Sequence, residues 1–326
     1  MSSFWKEKKV LVTGGAGFIG SFATEQLVES GAQVTVVCYS GKETPARLAS
    51  VKDSITVLHK DLRRKEDCRE ALKGNSIVIN MAARVAGVEF NSKHPATMLM
   101  ENAVMDMNLL EAARETGVER FEVVSSACVY RRNCLIPTPE SEGFIDHPEP
   151  SNFGYGWAKR IAEVQAMAYA EEYGMKIGIV RPYNAYGPRD HFDPAISHVI
   201  AALIRRVYEG ENPLKVWGSG EQTRAFLYVE DFARGVLEGA EKYPQADPVN
   251  LGTSEEVTIK ELVRMILEIS GKKPEVIFDT TKPAGQPRRN CDTRKAEEKL
   301  GFKPKFSLRQ GLEKTIRWYE KNKGIA

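Results

Sequence analysis

The sequence predicts an α/β fold, a doubly wound parallel sheet with helices on both faces, followed by a smaller C-terminal substrate-binding lobe. Three observations carry this prediction. Residues 9–20, KVLVTGGAGFIG, read as a buried strand delivered into a glycine-rich turn and a helix. Short apolar runs then alternate with helix-length amphipathic segments as far as Arg181. Beyond Arg181 the texture changes to loops punctuated by Pro and Gly with isolated helical stretches.

Taken in order, Val10, Leu11 and Val12 form an apolar run suited to a strand covered on both faces, and Gly14, Gly17 and Gly20 follow at three-residue intervals before a helix that begins near Ser21. Further strands are expected at 33–37, 55–58, 77–80, 121–125 and 177–180. Helices are expected at 102–116, from Tyr155 through Ala170, at 197–209 and at 259–270. A helix over 225–240 returns to the first domain, so the lobes interleave: 1–182 plus about 225–254 form the dinucleotide-binding domain, and about 183–224 plus 255–326 form the second lobe.

The chain has 326 residues, of which 42% are hydrophobic and 28% charged, enough for one large core or two lobes. A net charge of +2 with mixed signs argues against a nucleic-acid or membrane-surface role. The absence of a spanning apolar run, together with the polar start MSSFWKEKK, predicts a cytoplasmic protein. Five scattered cysteines (Cys38, Cys68, Cys128, Cys134, Cys291) lack metal-type spacing, so neither a disulfide framework nor a metal site is expected.

The glycine turn, with a strand before it, a helix after it and a second strand at 33–37, points to a dinucleotide whose pyrophosphate rests on the helix N-terminus. Cofactor type depends on the end of that second strand, where a carboxylate would bind ribose hydroxyls and repel a 2′-phosphate. Here the residues are CYSGK (38–42). With no carboxylate, and with Ser40 and Lys42 at hand, the expectation among NAD(P)(H) cofactors tips slightly toward NADP(H). Asp61-Leu62, after the third strand, can contact the adenine edge or cap a helix.

Tyr155 and Lys159 share one helix face through their four-residue spacing, so the ammonium is expected to lower the phenol from its usual value of about 10. Such a tyrosine can exchange a proton with a sugar hydroxyl or carbonyl. The run SSAC (125–128), ending the preceding strand, supplies a hydroxyl for the same substrate oxygen.

The motifs TGGAGFIG, NMAA (80–83), SSACVY (125–130), Tyr155-x-x-x-Lys159 and RPYNAYGP (181–188) together resemble the extended short-chain dehydrogenases/reductases acting on nucleotide sugars, which have a Rossmann-type fold. The resemblance covers essentially the whole chain. It implies catalytic roles for Ser126, Tyr155 and Lys159, a helper role for Asn102 in positioning the lysine, and cofactor contacts at Phe18, Ile19, Ala82 and Ala83. Within that superfamily, SNFGYGWAKR (151–160), RDHFDP (189–194), SHVI (197–200) and FDTTK (278–282) resemble the GDP-L-fucose synthases, with some likeness to the GDP-mannose 3,5-epimerases. The glycine turn itself is closer to general sugar-nucleotide epimerases.

This likeness implies 3,5-epimerisation and NADPH-dependent 4-reduction of a GDP-linked 4-keto-6-deoxy sugar, with Cys128 and His198 as the proton-moving pair. Their residue types suit the task, because a ketone acidifies the hydrogens on both neighbouring carbons and thiol and imidazole titrate near working pH. The likeness also places Asn184, Arg224 and either Arg288 or Arg289 on the diphosphate, where guanidinium forks match phosphate oxygens. A homodimer pairing helices around 102–116 and 155–173 is implied as well. Two other readings stay open: a redox-neutral nucleotide-sugar epimerase or dehydratase, and a non-catalytic NADP(H)-sensing regulator on the same fold.

Overall fold

The computed structural model describes residues 3–39, 46–194, 196–282 and 286–322. The first half alternates β1 (Lys9–Thr13), α1 (Phe18–Glu29), β2 (Gln33–Cys38), β3 (Ile55–His59), α2 (Lys65–Leu72), β4 (Ile77–Asn80), α3 (Val88–Lys93), α4 (Pro95–Thr116), β5 (Arg120–Val124), α5 (Phe153–Tyr173) and β6 (Lys176–Pro182). Then come β7 (Ala185–Tyr186), α6 (Val199–Tyr208), β8 (Leu214–Trp217), β9 (Thr223–Ala225), β10 (Leu227–Tyr228) and α7 (Val229–Lys242). The chain closes with β11 (Val249–Leu251), β12 (Glu256–Thr258), α8 (Ile259–Ser270), β13 (Val276–Asp279), β14 (Arg288–Arg289), α9 (Arg294–Leu300) and α10 (Leu308–Asn322).

Seven strands form one sheet in the order β11-β6-β5-β4-β1-β2-β3, every neighbouring pair parallel. The chain starts in the middle, winds outward to β3, returns past β1 to β4, and winds out again, which is the doubly wound arrangement expected. Alternation along β1 decides which core each residue joins. Val10 and Val12 face the layer of α1 and α7, while Leu11 faces the layer of α2, α4 and α5. All three are fully buried, and each such side chain contributes about 1.5–3 kcal/mol relative to exposure.

Two expected elements differ. The helix after β1 begins at Phe18, because Gly17 takes the extended conformation of an N-cap and releases the chain into the helix earlier than the polar Ser21 suggested. The stretch 225–240 is not one helix. Its first residues pair in β9 and β10, and α7 starts only at Val229.

At the carboxyl end of the sheet, Arg181 of β6 forks onto Glu163 of α5 (Nε to Oε1 2.8 Å, Nη2 to Oε2 2.6 Å), both buried. Arg181 Nη1 also donates to Tyr130 Oη at 3.1 Å and to the Glu140 carbonyl at 2.6 Å, and Tyr130 Oη donates to Asn250 Oδ1 at 2.5 Å. Glu163 accepts the Ser125 hydroxyl as well.

Glu122 on β5 is a different case. It is fully buried with neither carboxyl oxygen hydrogen-bonded, under Gly178 and Gly239, where an added Cβ would lie 1.9 and 2.7 Å from those oxygens. Burial pushes the carboxyl well above its ordinary 4.5. The folded value being the higher one, stability falls as pH rises above 4.5, by about 1.4 kcal/mol per pH unit until the folded value is reached. Glu122→Gln removes that slope. The expected outcome is a melting-temperature difference, variant minus wild type, that grows as pH rises above about 5; a constant difference would refute it.

Candidate active site

The turn after β1 is shaped for a phosphate. Gly14 adopts φ +64°, and a Cβ on Gly20 would lie 2.1 Å from the Gly14 carbonyl oxygen, so the first turn of α1 sits directly on the strand end. Gly17, the N-cap, places no side chain over the amides of the helix start. These residues therefore fit a dinucleotide pyrophosphate. Phe18 is buried, and Ile19 packs half-buried on the core. Ala82 and Ala83 follow β4, half-buried, with the Ala82 amide donating to Thr13 Oγ1 at 3.1 Å.

At the adenosine end, Cys38 is buried and Tyr39 is exposed, while Ser40 and Lys42 lie outside the described residues. The Arg63 guanidinium covers the Tyr39 ring at 4.9 Å from its centroid and forks onto Asp61 at 2.9 and 2.8 Å. Asp61 is thus engaged by Arg63, whose hydrogen bonds hold its carboxyl below the usual range, and it does not cap α2, whose N-cap is Arg64. The Leu62 side chain lies in the core.

Ser126 opens the short 3₁₀ turn Ala127–Val129, its Oγ accepting the Cys128 amide at 3.1 Å. Tyr155, in the first turn of α5, lies close enough to Ser126 for the serine to act on its phenol. Lys159 Nζ lies 5.9 Å from the centre of the Tyr155 ring. The three expected residues are therefore brought together. The phenol is nonetheless raised: burial outweighs the pull of Lys159 and Ser126 toward the ionised form. Lys159 is raised too, because Asp106 and Tyr155 together overcome the burial that disfavours its charge.

Asn102 does not hydrogen-bond the lysine. Its amide nitrogen donates to the Arg84 and Met98 carbonyls (3.2 and 2.8 Å), and its oxygen accepts the Arg84 amide at 2.9 Å, so it shapes the loop after β4. Asp106, one turn further along α4, faces Lys159 at 3.2 Å instead. The sequence offered a signal for it: an acid between Met105 and Met107 in an apolar helix, four residues beyond Asn102.

On the opposite bank, β14 sends its two arginines to different sides. Neighbours on a strand point to opposite sides. Arg288 forks outward onto Glu256 at 2.8 Å, half exposed. Arg289 turns inward, its Nη2 4.0 Å from Cys128 Sγ. Cys128 is half-buried. His198, the N-cap residue of α6, is solvent-exposed but flanked by protein, and that partial burial together with the Arg289 charge lowers its pKa. Arg224 pairs in register with Arg289, and burial followed by that like charge lowers it to about 10. Asn184 Nδ2 donates to the Ala225 carbonyl at 2.9 Å, tying the start of β7 to β9.

Residues 10–252 match the NAD dependent epimerase/dehydratase family. This chain belongs to that family. It is 34% identical to GDP-L-fucose synthase 1 of Arabidopsis thaliana over 97% of its own length and 94% of that protein. It is equally 34% identical to the dTDP-4-dehydro-6-deoxy-D-allose reductase of Streptomyces bikiniensis, covering 97% of each. The GDP-L-fucose synthetase of Naegleria fowleri, solved bound to NADP, superimposes with a TM-score of 0.83 at 25% identity, over 98% of this chain and 96% of that one.

Among the described residues, no three His, Cys, Asp or Glu side chains gather into a group that could hold a metal ion, and no helix is long and apolar enough to cross a membrane. The two arginines of β14 give a direct test by calorimetric titration with GDP. Arg289→Ala should weaken binding about 10- to 100-fold, the loss of a charged hydrogen bond. Arg288→Ala should change it less than about fivefold, since it removes only an exposed ion pair. Equal losses would overturn this assignment.

Proposed function

We propose that this protein is a nucleotide-sugar epimerase/reductase that carries out 3,5-epimerisation and 4-reduction of a GDP-linked 4-keto-6-deoxy sugar with NADP(H). The observation that carries the reading is the convergence of Ser126, Tyr155 and buried Lys159 with a thiol, Cys128, two residues past the serine and facing the inward Arg289. A redox-neutral 4-epimerase needs only the first three. The preference for NADP(H) is supported by a β2 end without a carboxylate and by the Arg63 guanidinium beside it.

In this reading the diphosphate lies against Arg289 and Arg224, which fixes the sugar between α5 and the start of α6. Cys128 and His198 take a proton from the carbons flanking the ketone and return it on the other face; His198, its pKa lowered, stands ready as a base. When bound, the nicotinamide supplies the hydride that reduces the ketone carbon. Ser126 donates a hydrogen bond to the ketone oxygen, and Tyr155, still holding its proton, delivers it there. Lys159 orients the cofactor ribose and draws Tyr155 toward ionisation.

The two-lobe division, 1–182 plus about 225–254 against about 183–224 plus 255–326, belongs to the same proposal, supported by β11 closing the sheet edge. So does a homodimer, supported by exposed Met100 and Met107 on α4 and Val164 and Tyr173 on α5. A cytoplasmic location is supported by five free cysteines.

The test offers NADPH and a panel of GDP-, UDP- and dTDP-linked 4-keto-6-deoxy sugars, following loss of NADPH absorbance. Turnover is expected and should favour the GDP-linked sugar; no consumption with any of them would overturn the reductase. Tyr155→Phe should bind NADPH normally yet reduce the ketone at least about a hundredfold more slowly. In heavy water without reductant, wild type should incorporate deuterium at C3 and C5 by NMR and Cys128→Ser should not. Exchange at the wild-type rate in that variant would make Cys128 a packing residue and leave a redox-neutral enzyme.

A further inference from the structure

Lys159 is only 2% exposed, and an ammonium held that far from water stays charged only opposite a fixed negative partner. The partner is part of a longer arrangement. Asp106 Oδ2 lies 3.2 Å from Lys159 Nζ, while Oδ1 accepts Asn80 Nδ2 at 2.7 Å. Asn80 Oδ1 accepts the Thr13 hydroxyl, also at 2.7 Å. Thr13 Oγ1 in turn accepts the backbone amides of Met81 and Ala82, both at 3.1 Å. Thr13, Asn80 and Asp106 are all at least 97% buried.

The direction of every bond in this chain is forced. The Thr13 oxygen is occupied by two amides, so its one hydrogen goes to Asn80. The Asn80 oxygen receives it, so the Asn80 amide must donate onward to Asp106. Asp106 therefore takes a donor at each oxygen, as a carboxylate does. Thr13 is the residue before Gly14, and Ala82 follows β4, so the chain ties the phosphate turn to the lysine of α5 through two strands and two helices.

We propose that Asp106 is the positioning residue that fixes Lys159 in place and in its charged form, as the terminus of a one-way hydrogen-bonded chain anchored at the glycine-rich turn. The inference rests on the role given to Lys159 above. The titratable groups facing Lys159 Nζ are Asp106 from α4 and Tyr155 and Glu163 from its own helix. Thr13 of β1 and Asn80 of β4, which lie behind Asp106 in the chain, are neutral. Burial is already the largest single influence on Lys159, so without Asp106 less opposes it and the lysine loses its proton at a lower pH. Binding that depends on the ammonium is then complete below that pH and lost as pH rises through it.

The experiment is fluorescence titration of NADPH across pH, with no sugar present. Asp106→Asn keeps the shape and removes the charge. Its NADPH affinity should fall in the alkaline direction with a midpoint at least about one pH unit below that of wild type. Asp106→Glu, which restores the charge, should move the midpoint back by half the difference or more. A thermal melt of each variant separates this from loss of fold, and Asp106→Ser is read the same way if the Asn variant does not fold. A midpoint unmoved in folded Asp106→Asn overturns the proposal. Loss of cooperative melting in both the Asn and Ser variants overturns it too, since Asp106 would then hold the fold and not the lysine. Failure to reduce any 4-keto sugar would sink the functional reading, but it would not alter the cofactor titration, which tests Asp106 without any sugar.

Discussion

A guanidinium and a carboxylate shut away from water, Arg181 and Glu163, hold the chemical end of this protein in register. Each ion is unfavourable in a core by itself, so losing either partner costs about 3–5 kcal/mol, and the pair has no freedom to drift. What hangs from it is the site. Ser125, which donates to Glu163, precedes Ser126. Glu163 is one turn after Lys159 on α5. Tyr130, bonded to Arg181 and Asn250, pins the end of the turn that carries Cys128 and joins it to β11. The fit extends to Gly143, where a Cβ would lie 2.3 Å from the Arg181 guanidinium. The candidate catalytic groups sit on loops and helix starts, but this pair gives them the rigidity of a core.

The parts legible in the sequence were those governed by periodicity and by obligatory residue types. Ile77–Asn80 and Ile259–Ser270 have the expected boundaries, because an apolar run between polar residues leaves little freedom in where a buried strand ends, and the Thr258–Glu261 capping box fixes where α8 begins. Gly14 and Gly20 were legible because no other residue fits a turn that close. Tyr155 and Lys159 share a helix face, as four-residue spacing requires.

What was not legible depends on three-dimensional neighbours. The chain spells out Asn102 and Asp106 on one face of α4, but only the crossing of α4 with α5 decides that the aspartate meets Lys159 and the asparagine turns to the Arg84 loop. The fall in the Tyr155 pKa anticipated from a nearby ammonium was a statement about one neighbour; the surrounding core acts on the phenol more strongly than that neighbour does. Arg288 and Arg289 are indistinguishable in a loop, and become opposites only once β14 pairs with β9 and acquires two faces.

That pairing also sets Arg289 directly across from Arg224, two like charges in register on adjacent strands, with the charge of Arg289 helping to loosen the proton on Arg224. Such a pair is a standing source of repulsion, so the two strands stay joined by their backbone pairing against the push of their own side chains.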